Sequence, residues 1–194
     1  MNHNNTIAMR NFDPRKIAYY EKENWVAYYQ KRWARLLVVS VAMVKQTFGL
    51  NWLQAMYGAY LVARAEIAAA PFPNNDIPRA EKYMRRFYAL IKNAHHADFD
   101  INEVARLEVN WWVVHRRLFG KSDHPELIDA LADLYAATFC VPRERVRDAA
   151  YHRALAMVHS DRWVSEGRAN DSSLLAQEEE ELFKSYSALR AAIT

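Results

Sequence analysis

The sequence predicts an all-α fold, a single compact bundle of about seven helices forming one domain over residues 1–194. The chain has only 4 glycines and 6 prolines, too few for a turn-rich β-sandwich or barrel. No segment alternates apolar and polar residues with the period of a half-buried strand. The composition is 52% hydrophobic and 25% charged, which is typical of a globular protein. We expect the polar, asparagine-rich residues 1–12 to be flexible.

Glycine, proline and aspartate mark where the helices begin and end. Glycine enters the left-handed conformation without steric cost, so helices should stop near Gly49, Gly120 and Gly167. An aspartate followed closely by proline is typical of a helix start. This pattern occurs at Asp13-Pro14, Asp76-Ile77-Pro78 and Asp123-His124-Pro125. Asp100 and Glu103 are predicted to form a capping box.

These marks divide the chain into seven predicted helices. In chain order the helices are predicted at 14–48, 51–70, 77–96, 101–119, 124–139, 142–166 and 172–192. The segment 71–76 carries two prolines and two asparagines and is the strongest break between helices. The connections are short, so we expect neighbouring helices to pack antiparallel.

Several of these helices are apolar on more than one face. The helix at 101–119 carries two apolar stripes, one with Val104, Leu107, Trp111, Val114 and Leu118, the other with Ala105, Val109, Trp112 and Phe119. A helix that is apolar all round is usually surrounded by protein. This helix is therefore predicted to be central in the bundle, and the same pattern predicts that 36–44 and 51–70 are also surrounded.

Charge and cysteine content exclude several functional classes. The formal charge is +3, with 26 basic and 23 acidic residues spread along the chain, so no nucleic-acid partner is expected. Cys140 is the only cysteine, which excludes an internal disulfide and an all-cysteine zinc site. The N-terminus lacks the features of a signal peptide. The longest apolar run, Leu36 to Val44, is shorter than the roughly 20 residues of a membrane span. We expect a cytoplasmic protein with no membrane partner.

A few ionisable residues fall on apolar helix stripes, where an unpaired buried charge is costly. Glu66 lies on such a stripe of 51–70, and Glu108 and His115 lie two turns apart on one helix. Asp148 and His152 are four residues apart and share a helix face. Carboxylates and imidazoles inside a helical bundle suit iron or manganese. These five residues are therefore the candidate metal ligands.

Each candidate ligand also has a structural interpretation. Glu66 could form a buried ion pair with an arginine such as Arg32 or Arg35. The pair on 101–119 could be hydrogen-bonded within the core, or its glutamate could bind an arginine of a neighbouring helix. The pair on 142–166 could be a surface salt bridge.

Other acids are predicted to have ordinary roles. The run Glu178 to Glu181 is predicted to be a solvated face near a helix N-terminus. Glu21 lies near a helix start, where an acid needs no special role.

The spacing Glu108-x6-His115, followed by Asp148-x3-His152, resembles the ligand patterns of haem-oxygenase-like diiron oxidases. The resemblance covers only these positions. It implies a diiron centre that activates oxygen against a small organic substrate. Aromatic residues such as Trp111, Trp112, Tyr57 or Tyr60 would then line the pocket. The leading hypothesis is a metal-dependent, non-haem iron oxidative enzyme.

Two alternatives remain open at this point. The first is a non-enzymatic helical binding or interaction module, which we expect to be a homo-oligomer. The apolar and aromatic content is larger than the amount we expect one core of 194 residues to bury. The second is a pocket that encloses an apolar small molecule without chemistry. The sequence does not decide between the three.

Overall fold

The structure is a computed structural model that describes residues 9–121 and 125–194. This part of the chain contains eight α-helices and no β-strand, which confirms the all-α prediction. The helices are α1 (Pro14–Tyr29), α2 (Trp33–Phe48), α3 (Trp52–Ala69), α4 (Ile77–His95), α5 (Ile101–Leu118), α6 (Pro125–Phe139), α7 (Arg143–Ser165) and α8 (Ser173–Ile193).

The predicted helix ends are found wherever the structure describes them. The side chains of Asp13, Asp76 and Asp100 each accept a hydrogen bond from a backbone N–H in the first helical turn. The three predicted stop glycines, Gly49, Gly120 and Gly167, all have positive φ. The predicted capping box at Asp100 and Glu103 forms only in part, because the Glu103 carboxylate binds Arg106 at 2.7 Å instead of the Asp100 backbone. A complete capping box is formed by Asn51 and Gln54. The predicted cap at Asp123 lies outside the described residues.

The predicted helix 14–48 is two helices, so the described chain has eight helices rather than seven. The Lys31 N–H donates to the Tyr28 carbonyl at 3.1 Å, and the Arg32 N–H donates to the Ala27 carbonyl at 2.8 Å. This pair of bonds is the Schellman arrangement, and it holds Lys31 at a φ of 58°. No glycine or proline marks the break, so the sequence pattern did not predict it.

Each helix packs mainly against its neighbours in the chain, and α8 packs back on α1. α5 packs mainly on α4 and α6 and buries residues of both its apolar stripes, such as Leu107 and Val109, but Arg106 and Asn110 are exposed, so it is not surrounded on all sides. α2 packs mainly on α1 and α3, and α3 packs mainly on α2 and α4. Gly58 allows this close packing, since a Cβ there would lie 3.0 Å from Val44 and 3.2 Å from Phe87. α2 and α3 therefore form an edge of the bundle.

Residues 9–12, at the end of the segment predicted to be flexible, pack against the bundle. Met9 and Phe12 are buried in the core. The Arg10 guanidinium donates to the carbonyls of Ile193 and Phe139 at 2.6 and 2.9 Å. The rest of that segment, residues 1–8, lies outside the described residues.

Candidate functional site

Glu66 lies on α3, and the residue taken as a whole is solvent-exposed. The protein around its carboxylate and the negative charge of Glu108 nevertheless raise the pKa of Glu66 to about 7. Neither Arg32 nor Arg35 forms an ion pair with it, and Arg35 binds Glu23 at 3.0 Å instead. Glu66 therefore has a neighbouring carboxylate but no cation paired with it among the described residues.

Glu108 is held by two neutral hydrogen-bond donors. It is half-buried on α5, where one oxygen accepts from the Trp111 indole at 2.8 Å and the other accepts from the Tyr88 hydroxyl. The guanidinium of Arg153 is near enough to interact electrostatically with this carboxylate. Glu108 is thus a hydrogen-bonded acid, but among the described residues its donors are Trp111 and Tyr88 rather than His115 or an arginine.

His115 faces a partner that the sequence analysis did not identify. Its Nε2 lies 3.2 Å from a carboxylate oxygen of buried Asp161 on α7, although without the alignment of a hydrogen bond. Asp161 also accepts a hydrogen bond from the Gly120 N–H at 3.1 Å. Trp25 and Trp111 flank the imidazole, with ring centroids 6.2 and 6.4 Å away. The pair lies in an aromatic part of the core.

Asp148 and His152 form a surface pair, as the alternative interpretation described. Their side chains approach to 3.8 Å, and the Asp148 side chain is 72% exposed. The Nδ1 atom of His152 lies 2.6 Å from Glu181 on α8, which also binds Lys184 at 2.7 Å. Both carboxylates around this histidine are therefore engaged at the α7–α8 surface.

The five candidate ligands do not form one cluster. Glu66 neighbours Glu108, His115 pairs with Asp161, and His152 pairs with Glu181. Within residues 9–121 and 125–194, no group of three or more His, Cys, Asp or Glu side chains is placed to hold a metal ion. The residues therefore do not fit a diiron centre in this arrangement, and the resemblance to haem-oxygenase-like diiron oxidases stays a prediction.

The interior polar network is built instead around Arg153 of α7. Its Nε and Nη2 atoms donate to one oxygen of Glu21 at 3.1 and 2.9 Å. Tyr186 donates to the other oxygen of Glu21, and Arg153 also donates to the Tyr135 hydroxyl at 3.3 Å. The guanidinium carbon lies 4.8 Å from the Trp111 ring centroid, a cation–π distance. Glu21, expected to have no special role, is one half of a buried ion pair.

Glu178 of α8 is completely buried, so the prediction of a solvated face is wrong for this residue. Neither carboxylate oxygen has a hydrogen-bond partner among the described residues. Burial, reinforced by the negative charge of Glu21, holds the pKa of Glu178 well above its usual value. In the folded protein this acid is therefore favoured in its protonated form.

A second feature lies on the surface, along the edge formed by α2 and α3. Nine large apolar or aromatic side chains there are solvent-exposed, and together they define the apolar face: Trp33, Leu37, Val38, Trp52, Leu53, Met56, Tyr57, Tyr60 and Ile67. Leu53 is 80% exposed and Leu37 is 65% exposed. The prediction that 36–44 and 51–70 are surrounded by protein is therefore wrong, because only their inner sides are covered by described residues.

Cations contact the aromatic residues of the apolar face. The Lys45 ammonium lies 5.3 Å from the centroid of the Trp52 ring. Arg64 donates to the Tyr60 hydroxyl at 3.1 Å, and Arg86 of α4 donates to the Tyr57 hydroxyl at 2.7 Å. None of these three cations forms a salt bridge with a described acid. The apolar face is therefore bordered by positive charge.

No single helix of the described chain has the length and hydropathy of a membrane span. The helices Trp33–Phe48 and Trp52–Ala69 meet those criteria only when taken together, and they are bent by 113° relative to each other. A scan against protein-family models and searches of curated proteins and of solved structures find no match to this chain.

Proposed function

We propose that this chain is a non-enzymatic helical binding module and that the apolar face of α2 and α3 is its binding surface. The observation that carries the proposal is α3. This helix packs its small residues, including Ala55, Ala59 and Ala65, against the bundle and presents large apolar residues such as Leu53 to solvent. A helix that is apolar on both sides but covered on one is typical of a surface that another molecule covers.

The size of the apolar face supports this role. An aromatic side chain offers about 150–250 Å² and an aliphatic one somewhat less, so the exposed fractions of the nine residues sum to roughly 1,000 Å². The largest apolar patch on an ordinary monomer is about 300–600 Å². A standard protein interface buries about 800 Å² on each partner. The nine residues together therefore expose about as much area as one side of a standard interface buries.

The other hypotheses have less support from the described geometry. The oxidative enzyme needs ligands that converge, and its five candidates occupy separate pairs. A groove of about 420 Å³ between α1 and the start of α8 is lined largely by polar and charged residues, such as Lys22, Glu23 and Asn170, so this groove does not suit an apolar molecule. Homo-oligomer formation remains one way in which the apolar face could be covered.

Site-specific photo-cross-linking in cells tests the binding role. A benzophenone amino acid placed at Leu53 should give adducts with the molecule that covers the face, whether protein or lipid, and mass spectrometry identifies them. The matched control is the same amino acid at Tyr151, which is 46% exposed on α7. Position 151 should give no adduct. Absence of adducts at positions 37, 53 and 56 in the folded protein would contradict the proposal.

A further inference from the structure

Basic residues outnumber acidic residues around the apolar face. Residues 31–70 carry five basic side chains and one acidic side chain, namely Lys31, Arg32, Arg35, Lys45 and Arg64 against Glu66. Glu23 compensates Arg35 at 3.0 Å. Lys45, Arg64 and Arg86 make cation–π contacts or hydrogen bonds with aromatic residues of the face and with Tyr83, and they form no salt bridge with an acid in the described part of the chain. The surface that covers this face should therefore be apolar inside and negatively charged at its border.

A second copy of the chain does not meet this requirement well. Two identical copies joined through the apolar face would bring unpaired cations towards the same cations of the partner copy. Like charges across an interface oppose association. Glu66 is the only acid of residues 31–70, so it cannot balance Lys45, Arg64 and Arg86 together.

The aromatic residues favour a lipid surface over a protein groove. Trp33, Trp52, Tyr57 and Tyr60 combine an apolar ring with a polar tip, the composition found at membrane–water interfaces. Lys45 and Arg64 lie beside these rings, where ammonium and guanidinium groups could meet lipid phosphates. The aliphatic residues Leu37 and Leu53 project from the same helices and could enter the acyl region.

We propose that the occupant of the apolar face is an anionic phospholipid surface, on which α2 and α3 lie in the interfacial plane. This assignment rests on the proposed function, because it names the partner of the same face. Apolar side chains supply the insertion energy, and Lys45, Arg64 and Arg86 supply the preference for anionic headgroups. The association is peripheral and involves no membrane span, and it departs from the expectation of no membrane partner drawn from the sequence.

Vesicle flotation with the purified full chain tests the assignment. The probes are vesicles of phosphatidylcholine alone and of phosphatidylcholine mixed with phosphatidylglycerol. We expect the wild-type chain to float with the mixed vesicles. Leu53→Asp should weaken binding at least about tenfold. The substitution should be tolerated by the fold, because Leu53 is in the first turn of α3, where an acid is favourable.

The charge variant and its control separate electrostatic from apolar binding. Lys45→Glu combined with Arg64→Glu should weaken binding to the mixed vesicles at least about tenfold and leave weak binding to phosphatidylcholine unchanged. Arg145→Glu and Tyr151→Asp, both exposed on α7, should bind within about twofold of the wild type. Far-ultraviolet circular dichroism and thermal melting verify that every variant is folded.

Three outcomes overturn the lipid assignment. If the wild-type chain does not float but forms a dimer that Leu53→Asp dissociates, a second copy covers the face. If it does not float and the cross-linker at position 53 captures an acidic protein, the partner is that protein. In both cases the proposed function stands and the lipid assignment fails. If the chain does not float and no adduct forms at position 53, both proposals are wrong.

Discussion

Arg153 and Glu21 form the central ion pair of the core, and its loss should be costly. Removing one partner of a buried pair leaves the other charge without compensation. We expect Glu21→Ala to lower the free energy of unfolding by about 3–5 kcal/mol. The matched control is Glu103→Ala, which breaks an exposed ion pair with Arg106 and should cost less than about 1 kcal/mol. Urea denaturation monitored by circular dichroism measures both, and equal losses would contradict the central role of the buried pair.

Glu178 should make stability depend on pH. Its pKa in the folded chain lies well above 4.5, so the folded chain retains a proton that the unfolded chain releases as the pH rises past 4.5. The folded state binds more protons in this window, and its stability therefore falls with rising pH. Glu178→Gln removes this contribution. We expect the stability of the variant relative to the wild type to increase as the pH rises above about 4.5.

The pH prediction has a nearby control. Glu180 is exposed on the same helix, and Glu180→Gln should keep the fall of stability with pH seen in the wild type because it leaves the buried Glu178 in place. Denaturation midpoints across the pH series measure the difference. If the stability of Glu178→Gln and of the wild type changed with pH in parallel, burial of the Glu178 carboxyl group would not disfavour its ionisation.

At the scale of elements, the break between α1 and α2 depends on Lys31. A residue with a Cβ in the left-handed conformation costs about 1–2 kcal/mol, a cost that glycine avoids. Lys31→Gly should therefore stabilise the chain by about 1 kcal/mol. Lys82→Gly, at an exposed position inside α4, should destabilise it by about 1 kcal/mol. Thermal melting compares the two, and a loss of stability in Lys31→Gly would contradict this account of the break.

Helix ends were predictable where a specific residue enforces them. Asp13, Asp76 and Gly49 mark caps or stops that the structure confirms. The break at Lys31 was not predictable, because the Schellman hydrogen bonds hold a lysine where the usual glycine is missing. The division of the chain into helices was therefore predictable except where backbone hydrogen bonds override residue preference.

The environment of α3 was not predictable from its apolar pattern. Periodicity shows that both faces are apolar, but it does not show what covers each face. The pattern predicted burial, whereas the bundle covers only the side with Ala55 and Ala59 and leaves Leu53 exposed. The position of α3 at an edge follows from which helices neighbour it, which is a property of the tertiary structure.

The candidate site was predictable only in part, for a related reason. Glu108 and His115 were recognisable as an acid and a histidine on apolar stripes, and both lie in the interior network or beside it. Asp161 was recognisable in the same way, because it follows Ala154 and Met157 on a buried stripe. Glu21 and Arg153 were not recognisable as a pair, because they lie on helices that only the tertiary fold brings together.

At the scale of the whole molecule, each described helix packs on the next along the chain and the last packs on the first. One edge of this arrangement exposes apolar side chains to solvent. α8 returns to α1, while α2 and α3 have a covered inner side and an outer side open to solvent. The net charge of +3 is mild, and the positive charge that borders the apolar face concentrates part of it at the binding surface. Function is therefore expected at this edge.

Binding to anionic vesicles should weaken as salt is added. The Debye length falls from about 10 Å at 0.1 M to about 3 Å at 1 M, which screens Lys45, Arg64 and Arg86 from the headgroups. We expect flotation with phosphatidylglycerol-containing vesicles to fall with rising sodium chloride. Binding of the variant that carries Lys45→Glu and Arg64→Glu should depend on salt less steeply. Binding that is insensitive to salt would show that the cations do not contribute.

Two groups of tryptophans differ in their exposure to solvent and should therefore report different events by fluorescence. Trp33 and Trp52 are more than half exposed at the bundle edge, whereas Trp111 and Trp163 are almost fully buried. Water quenches and red-shifts indole emission, so a blue shift without a change in ellipticity would come from the outer indoles alone. Replacing Trp33 and Trp52 by phenylalanine would silence that shift and preserve the emission change on denaturation. The chain thus carries its own fluorescent probe of docking, distinct from its probe of unfolding.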